Sequence, residues 1–273
     1  IFEYNRARIL FSDYIALKDL EKYANKTKSF QILENSLDEG FGVFLWKKKV
    51  KKIQIAIDKH EIPTPLPKTI LNLDQLESFT LIFGYFLDFP AVLCRMKNLK
   101  YLDLDECSLF SIQVKIDNME NLEELYLRRN KLKSFPDKLC TLKKLIRLNM
   151  LGNNIASIPK AIEKMNNLEI LVLSENQLTK IHPNIGRLDS LKELYLNSNN
   201  ILAIPSNIGQ LSSLNILQLR NNDLKNLPSS IGKLQSLKEL ILLNNKLSEI
   251  PLEIANLANL EVLNLSENPL DGV

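Results

Sequence analysis

The sequence predicts an α/β solenoid: a curved horseshoe with a parallel sheet on its concave face, short 3₁₀ or helical segments on its convex face, and a small N-terminal cap. Three observations lead there. Asparagine recurs at Asn130, Asn153, Asn176, Asn199, Asn222, Asn245 and Asn268, each 23 residues after the last, and a period this strict is an internal repeat. Leucines alternate just ahead of each asparagine, as Leu125 and Leu127 do, which is the pattern of a strand with one buried face. Proline then follows at a fixed distance, at Pro136, Pro159, Pro205, Pro228 and Pro251.

Residues 1 to about 51 do not repeat. Tyr14, Leu17, Leu20 and Ala24 make a helical stripe after a cap at Ser12, and Phe30, Leu33 and Leu37 make a second one that stops near Gly40. The segment "FGVFLW" then reads as a strand. This region is read as a cap, residues 1–51, that shields the open edge of the first repeat, as solenoids require for solubility. The run "KKKVKK", Lys47 to Lys52, sits ahead of the first repeat strand. There it reads as a solvated turn that discourages edge pairing, in preference to a phosphate or lipid site.

Residues 52–273 make about ten repeats. The first, "KIQIAIDKHEIPTPLPKTILNLDQ", fits with one residue inserted, pointing Ile55 and Ile57 inward and placing His60 in the asparagine slot. The second, "LESFTLIFGYFLDFPAVLCRMKN", points Phe79 and Leu81 inward and has Gly84 in that slot. In the third, Leu99 to Asn121, Cys107 takes the slot, and a thiol is a weaker donor than an amide. From Leu122 onward the template LxxLxLxxNxLxxFPxxLxxL refits at Leu145, Leu168, Leu191, Leu214, Leu237 and Leu260.

Physical chemistry accounts for each part of the template. Strands stacked about 4.8 Å apart build a parallel sheet, roughly 45 Å long for ten coils. The asparagine amide satisfies backbone groups of the inward turn that would otherwise be buried unpaired. Proline, with its fixed φ, suits the start of a helical or 3₁₀ return segment, and the glycines of "NIGRL", "NIGQL" and "SIGKL" ease tight turning. One repeat cannot bury its own apolar face, so the stack is the unit of stability. After the last strand the chain reads "LSENPLDGV", so the C-terminal edge is expected to be exposed, self-associating or continued in a longer protein.

On these positions the sequence resembles the leucine-rich repeat family, from about residue 52 to the end. Its 23-residue form with "IPxxIxxL" resembles Ras-group intracellular repeats and repeat proteins of bacteria, including pathogens. The resemblance implies a non-catalytic scaffold that binds a protein partner through the concave face. Bacterial relatives are often exported or host-directed, and few alanines with many Lys, Asn and Ile point compositionally to a bacterial source. The compartment therefore stays open between cytoplasmic and bacterially exported. Two other functions remain in play, a ligand-selecting or sensor segment of a larger enzyme or receptor, and a structural protein that self-associates through its C-terminal edge.

Candidate chemistry is sparse. A net charge of +3 over 273 residues gives no global field that argues for nucleic acid or an acidic surface. No apolar run reaches membrane-spanning length and no signal peptide is visible, although the chain begins at Ile1 and a leader could have been removed. Cys94 and Cys140 share a template position two repeats apart, about 10 Å, beyond disulfide reach, and with Cys107 they are expected to be buried and free of disulfides. His60 and Cys107 are likewise about 10 Å apart, too far for a nucleophile and its base. His182 takes the usual proline place and is expected to be structural. The phosphate-loop, nucleophile-elbow and zinc-protease motifs are not found, so no catalysis, metal or cofactor is expected.

Function is expected on the outward strand positions. They include Tyr101, Tyr126, Arg128, Arg147, Ile170, Val172, Tyr195, Ile216, Arg220 and Ile241, a mix of tyrosine, arginine and aliphatics enriched at protein interfaces. Asp103, Asp105 and Glu106 lie beside Arg128, Arg129 and Lys131 of the next repeat, so they either neutralise one another or form a binding patch. In the second repeat Ile82, Phe83 and Tyr85 make an apolar patch. It is read as lying beneath the N-terminal segment, which brings Phe41, Phe44 and Trp46, with an exposed anchor as the alternative.

Overall fold

A computed structural model describes residues 2–4, 7–24, 31–32, 42–57 and 65–270. His60, Phe41 and the second stripe through Phe30, Leu33 and Leu37 lie outside these residues. The chain divides into two compact units, Ile1–Asn130 and Lys131–Val273.

The first unit opens with β1 (Phe2–Tyr4) antiparallel to β2 (Ala7–Ile9) and with α1 (Phe11–Tyr23). Of the expected stripe Leu17, Leu20 and Ala24 are fully buried and Tyr14 is half-buried, and Ala16 joins the buried face. The expected cap does not form: Leu10 holds the N-cap position with no side-chain bond, and the Ser12 hydroxyl donates to the Asp13 carboxylate at 3.0 Å instead. That carboxylate is buried because its other oxygen accepts the Val50 amide at 3.0 Å, which ties α1 to the first coil. A second tie runs from the Thr69 hydroxyl to Asp19 at 2.7 Å.

Strands β3 (Gln31–Ile32), β4 (Gly42–Trp46) and β5 (Lys49–Ala56) follow. β4 and β5 form an antiparallel hairpin whose two-residue turn is Lys47 and Lys48, with φ of 49° and 67°. Positive φ at both turn residues matches the right-handed strand twist. The lysine run therefore makes the turn and then starts the strand, where the sequence placed it ahead of the strand. From β5 the sheet continues in parallel through β6 (Ser78–Ile82), β7 (Tyr101–Asp103) and β8 (Glu124–Tyr126).

The register of the first coil differs from the expected one. Ile53 pairs with Phe79 and Ile55 with Leu81, so the inward pair lies two residues earlier than Ile55 and Ile57. Val50, Ile53, Ile55 and Ile57 are all buried, and an alternating apolar run fits equally well after a two-residue slip. Nothing in the local pattern chooses between the two registers. In the observed register Val50 is tied to Asp13 of α1.

In the second unit β9 (Arg147–Asn149), β10 (Ile170–Val172), β11 (Glu193–Tyr195), β12 (Ile216–Gln218), β13 (Glu239–Ile241) and β14 (Val262–Asn264) pair in parallel. Leu148, Leu171, Leu194, Leu217 and Leu240 stack in register and are fully buried, each worth about 1.5–3 kcal/mol of apolar burial. Short 3₁₀ segments, such as Ser206–Gln210 after Pro205 and Ser229–Lys233 after Pro228, return the chain on the other side of the coil. Where proline is replaced by His182, its Nδ1 accepts the Asn184 amide at 3.1 Å and performs the cap.

The asparagine slot works as the sequence predicts. Asn222 Oδ1 accepts the Ile201 amide at 3.0 Å, and its Nδ2 donates to the carbonyls of Leu196 and Leu219, both at 3.0 Å. One residue ahead of the slot the backbone turns inward through a left-handed residue, at Arg129 in the first unit and at Glu175, Ser198, Asn221 and Asn244 in the second. Cys107 substitutes with a single bond from its Sγ to the Leu81 carbonyl at 3.1 Å. Gly84 substitutes with none, because Leu81, Phe86 and Cys107 already fill the space a Cβ would need.

The glycines of the return segments serve close packing. A Cβ on Gly186, Gly209 or Gly232 would stand 2.2, 2.3 or 2.2 Å from the carbonyl oxygen of Asn207, Ser230 or Glu253 in the following coil. Neighbouring 3₁₀ segments touch backbone to backbone there.

Candidate functional site

The outward strand positions form a continuous row of side chains in each unit, because parallel pairing repeats the same face at every coil. In the first unit Tyr101 and Glu124 are paired, as are Asp103 and Tyr126. The rings of Tyr101 and Tyr126 lie 5.2 Å apart at an interplanar angle of 37°, and the Arg128 guanidinium sits 5.7 Å from the Tyr126 ring centre. The Tyr126 hydroxyl donates to Glu124 at 2.7 Å.

Charge on this face is internally matched. Arg128 Nε donates to Asp105, whose other oxygen accepts the Arg128 amide at 2.6 Å. Arg129 meets Glu106 at 3.3 Å. Of the two sequence readings of this row, mutual neutralisation holds for these pairs. Asp103 differs: it is 6% exposed and its Oδ1 accepts the Asp105 amide at 3.0 Å. Burial and then the neighbouring Asp105 charge push its carboxyl up to about 7. Burial first, and then the Asp103 carboxylate, also raise the Tyr101 hydroxyl above its usual range.

In the second unit Arg147, Val172, Tyr195, Ile216 and Ile241 are half-buried and Arg220 is exposed. Ile170 is only 9% exposed and offers little contact area. Tyr195 donates to Glu193 at 2.9 Å, and burial followed by that hydrogen bond pushes its hydroxyl up to about 12. A polar chain crosses three strands, from Asn197 Nδ2 to Gln218 Oε1 at 2.7 Å and from Gln218 Nε2 to Glu239 at 2.6 Å. Beside it Val172, Ser174, Tyr195 and Asn197 border a shallow depression of about 330 Å³.

The apolar patch is split by the structure. Phe83 is 44% exposed, with a left-handed φ of 62°, while Ile82 and Tyr85 are half-buried. Tyr85 faces a groove with Leu66, Phe86 and Leu87. Phe44 and Trp46, expected to cover this patch, instead border a depression of about 560 Å³ with Tyr101, Lys51, Lys52 and Ser78. Sequence reasoning missed this depression. The signal for it is the small Ser78 in a row of long side chains.

Other chemistry is confined. Cys94, Cys107 and Cys140 are free and buried. Among the described residues no group of three His, Cys, Asp or Glu side chains is placed to hold a metal ion. No described helix is long and apolar enough to cross a membrane.

Comparison with known proteins agrees with this geometry. A profile described as a leucine-rich repeat region matches residues 176–271, and one described as a leucine rich repeat matches residues 97–155. Among curated proteins none matches. Among solved structures, a leucine-rich repeat protein of Leptospira interrogans, LIC12759, is 34% identical with a TM-score of 0.76, over 81% of this chain and 55% of that one. The plant peptide hormone receptor RGFR1, in complex with RGF2, is 28% identical with a TM-score of 0.68, over 80% of this chain and 36% of the receptor. TLR13, in complex with the RNA ssRNA13, is 25% identical with a TM-score of 0.70, over 80% of this chain and 33% of that one. The chain thus spans about half the length, or less, of these three structures.

Proposed function

The chain belongs to the leucine-rich repeat family, and from that premise we propose that it is a non-catalytic scaffold that binds a protein or peptide partner through the strand face of its coils. That face is the concave one in the horseshoe the family builds. The observation that carries the reading is the tyrosine pair Tyr101 and Tyr126 with Arg128 beside it, held on the strand face by Glu124 and Asp105. Large, pre-ordered amphipathic side chains give contact area at small entropic cost.

Peptide is favoured over RNA. Around the tyrosine pair the one guanidinium, Arg128, is already paired with Asp105, so a phosphate backbone laid along the strand face there meets little open positive charge. The receptor RGFR1, solved with RGF2, supports a peptide ligand as well. The Leptospira relative supports a bacterial source, and an exported or host-directed role is part of the same proposal. A second reading, a ligand-selecting segment of a longer receptor, is favoured by the match to only 36% of the plant receptor. The full-length gene sequence separates the two.

The test is cross-linked capture followed by mass spectrometry, repeated with Tyr126→Lys and Tyr195→Lys. Lysine keeps a partner for Glu124 or Glu193 while removing the aromatic surface, so melting should be unchanged and capture lost. Ile170 is left alone because a charge at a 9% exposed position would test stability instead. A partner captured equally by both variants would remove the strand-face assignment.

A further inference from the structure

The depression bounded by β4, β5, β6 and β7 is built by register. Phe44 pairs with Lys52, Lys52 with Ser78, and Ser78 with Tyr101, so one row runs across four strands with its smallest side chain third. Ser78 forms the floor. Phe44 and Trp46 stand on one side and Tyr101 on the other, around about 560 Å³, a size that suits a few side chains of a ligand. Trp46 is 57% exposed, an apolar surface without cover.

The rim is cationic. Pairing between β4 and β5 shifts between Phe44 and Leu45, which leaves Lys51 as an extra residue. A bulge re-aims a side chain, and here both Lys51 and Lys52 reach the depression. Glu77 is held by Lys51 at 2.5 Å and Lys100 at 3.4 Å. The Lys51 hydrogen bond is the largest cause that keeps Glu77 ionised below the usual carboxylate range. Two ammonium groups therefore hold one carboxylate, Lys52 borders the same depression, and the exposed turn Lys47 and Lys48 adds two more next to Trp46.

We propose that this depression is the anchor site for an acidic peptide segment of the partner, one in which carboxylates flank a large apolar side chain. The inference rests on the strand-face reading above and names its partner chemistry. The apolar side chain fills the space between Trp46 and Tyr101, and the carboxylates meet the lysine rim. A polyanion is disfavoured because beyond Tyr101 the next cation on the strand face, Arg128, is already paired with Asp105, so a continued phosphate chain runs from open cation onto a matched pair.

Trp46 is the single tryptophan of the chain, so its fluorescence reports on the site. The intact chain is titrated with a terminally blocked Asp-Phe-Asp-Leu peptide, with its Asn-Phe-Asn-Leu counterpart, and with a short oligothymidylate. The acidic peptide should give a saturable emission change that weakens at least about tenfold for the Asn peptide and falls several-fold as salt rises toward about 0.5 M. Ser78→Tyr, which fills the floor, and the double variant Lys47→Gln with Lys48→Gln, which leaves the floor intact, should each weaken binding at unchanged melting temperature. No saturable change, equal binding of both peptides, or tighter binding of oligothymidylate overturns the proposal. Capture that depends on Tyr126 and Tyr195 without peptide binding overturns this anchor alone. Peptide binding with capture indifferent to those tyrosines overturns the wider reading alone.

Discussion

A Cβ added to Gly209 would stand 2.3 Å from the carbonyl oxygen of Ser230 in the next coil. Contact this close between backbones leaves no flexible side-chain end to move aside. Gly209→Ala is therefore expected to lower unfolding stability by about 1–3 kcal/mol, as overpacking does. Gly152 has a different reason to be glycine, a φ of 70°, and the equivalent positions two and more coils on hold Ser198, Asn221 and Asn244 in the same conformation. Gly152→Asn should stay within about 0.5 kcal/mol of the parent. Denaturant midpoints of the two variants check the contrast, and equal losses would contradict it.

Asn222 reaches the part-buried Arg220 carbonyl at 3.3 Å and carries three buried backbone groups: the Ile201 amide and the carbonyls of Leu196 and Leu219. Asn222→Ala leaves all of them buried without their partner, at a cost of about 2–4 kcal/mol. Cys107 supplies one bond, to Leu81, so Cys107→Ala should cost less although Cys107 is the more deeply buried. Chemical denaturation of the pair measures the difference directly.

The three thiols should be inert in the folded chain. Burial is the largest cause that pushes Cys94 up to about 11 and Cys140 up to about 12, and it raises Cys107 further. Thiolate is the reactive form. A disulfide-exchange reagent near neutral pH is expected to find three thiols after denaturation and almost none before. Rapid native labelling of any of them would mean that its coil opens.

What could be read from the sequence follows how local each requirement is. The slot of Asn222 and the 3₁₀ segment after Pro205 follow from residue types that recur every 23 residues, so a single chain displays them many times over. The Asp105 to Arg128 pair was legible for the same reason, being one period apart. By contrast, Ile53, Ile55 and Ile57 fit two strand registers equally, and nothing inside the repeat chooses between them. Trp46 was misplaced because its position, paired with Lys49, lies beyond a bulge that leaves Lys51 as an extra residue opposite the Phe44–Leu45 step, which no alternation pattern marks. The glycines were found but explained by turning, since the backbone of the next coil is invisible from inside one repeat.

Asp103 should make stability depend on pH in an unusual direction. It faces Thr80 on β6 and Tyr126 on β8, with Asp105 two residues on and one guanidinium, Arg128, bound to Asp105. Burial and the Asp105 charge hold its proton up to about 7, against an ordinary value of 3.8. The folded chain thus binds this proton more tightly than the unfolded chain. As pH rises from about 4 toward 7 the unfolded state ionises first and gains, so this group's contribution to stability falls across that window and its cost is complete above it. Asp103→Asn keeps the shape of the protonated carboxyl and cannot ionise. Its stability should match the parent near pH 4 and exceed it by roughly 2–4 kcal/mol at pH 8. Denaturant unfolding of both chains at several pH values reads the difference, and parallel pH profiles would show that the proton is not held at Asp103.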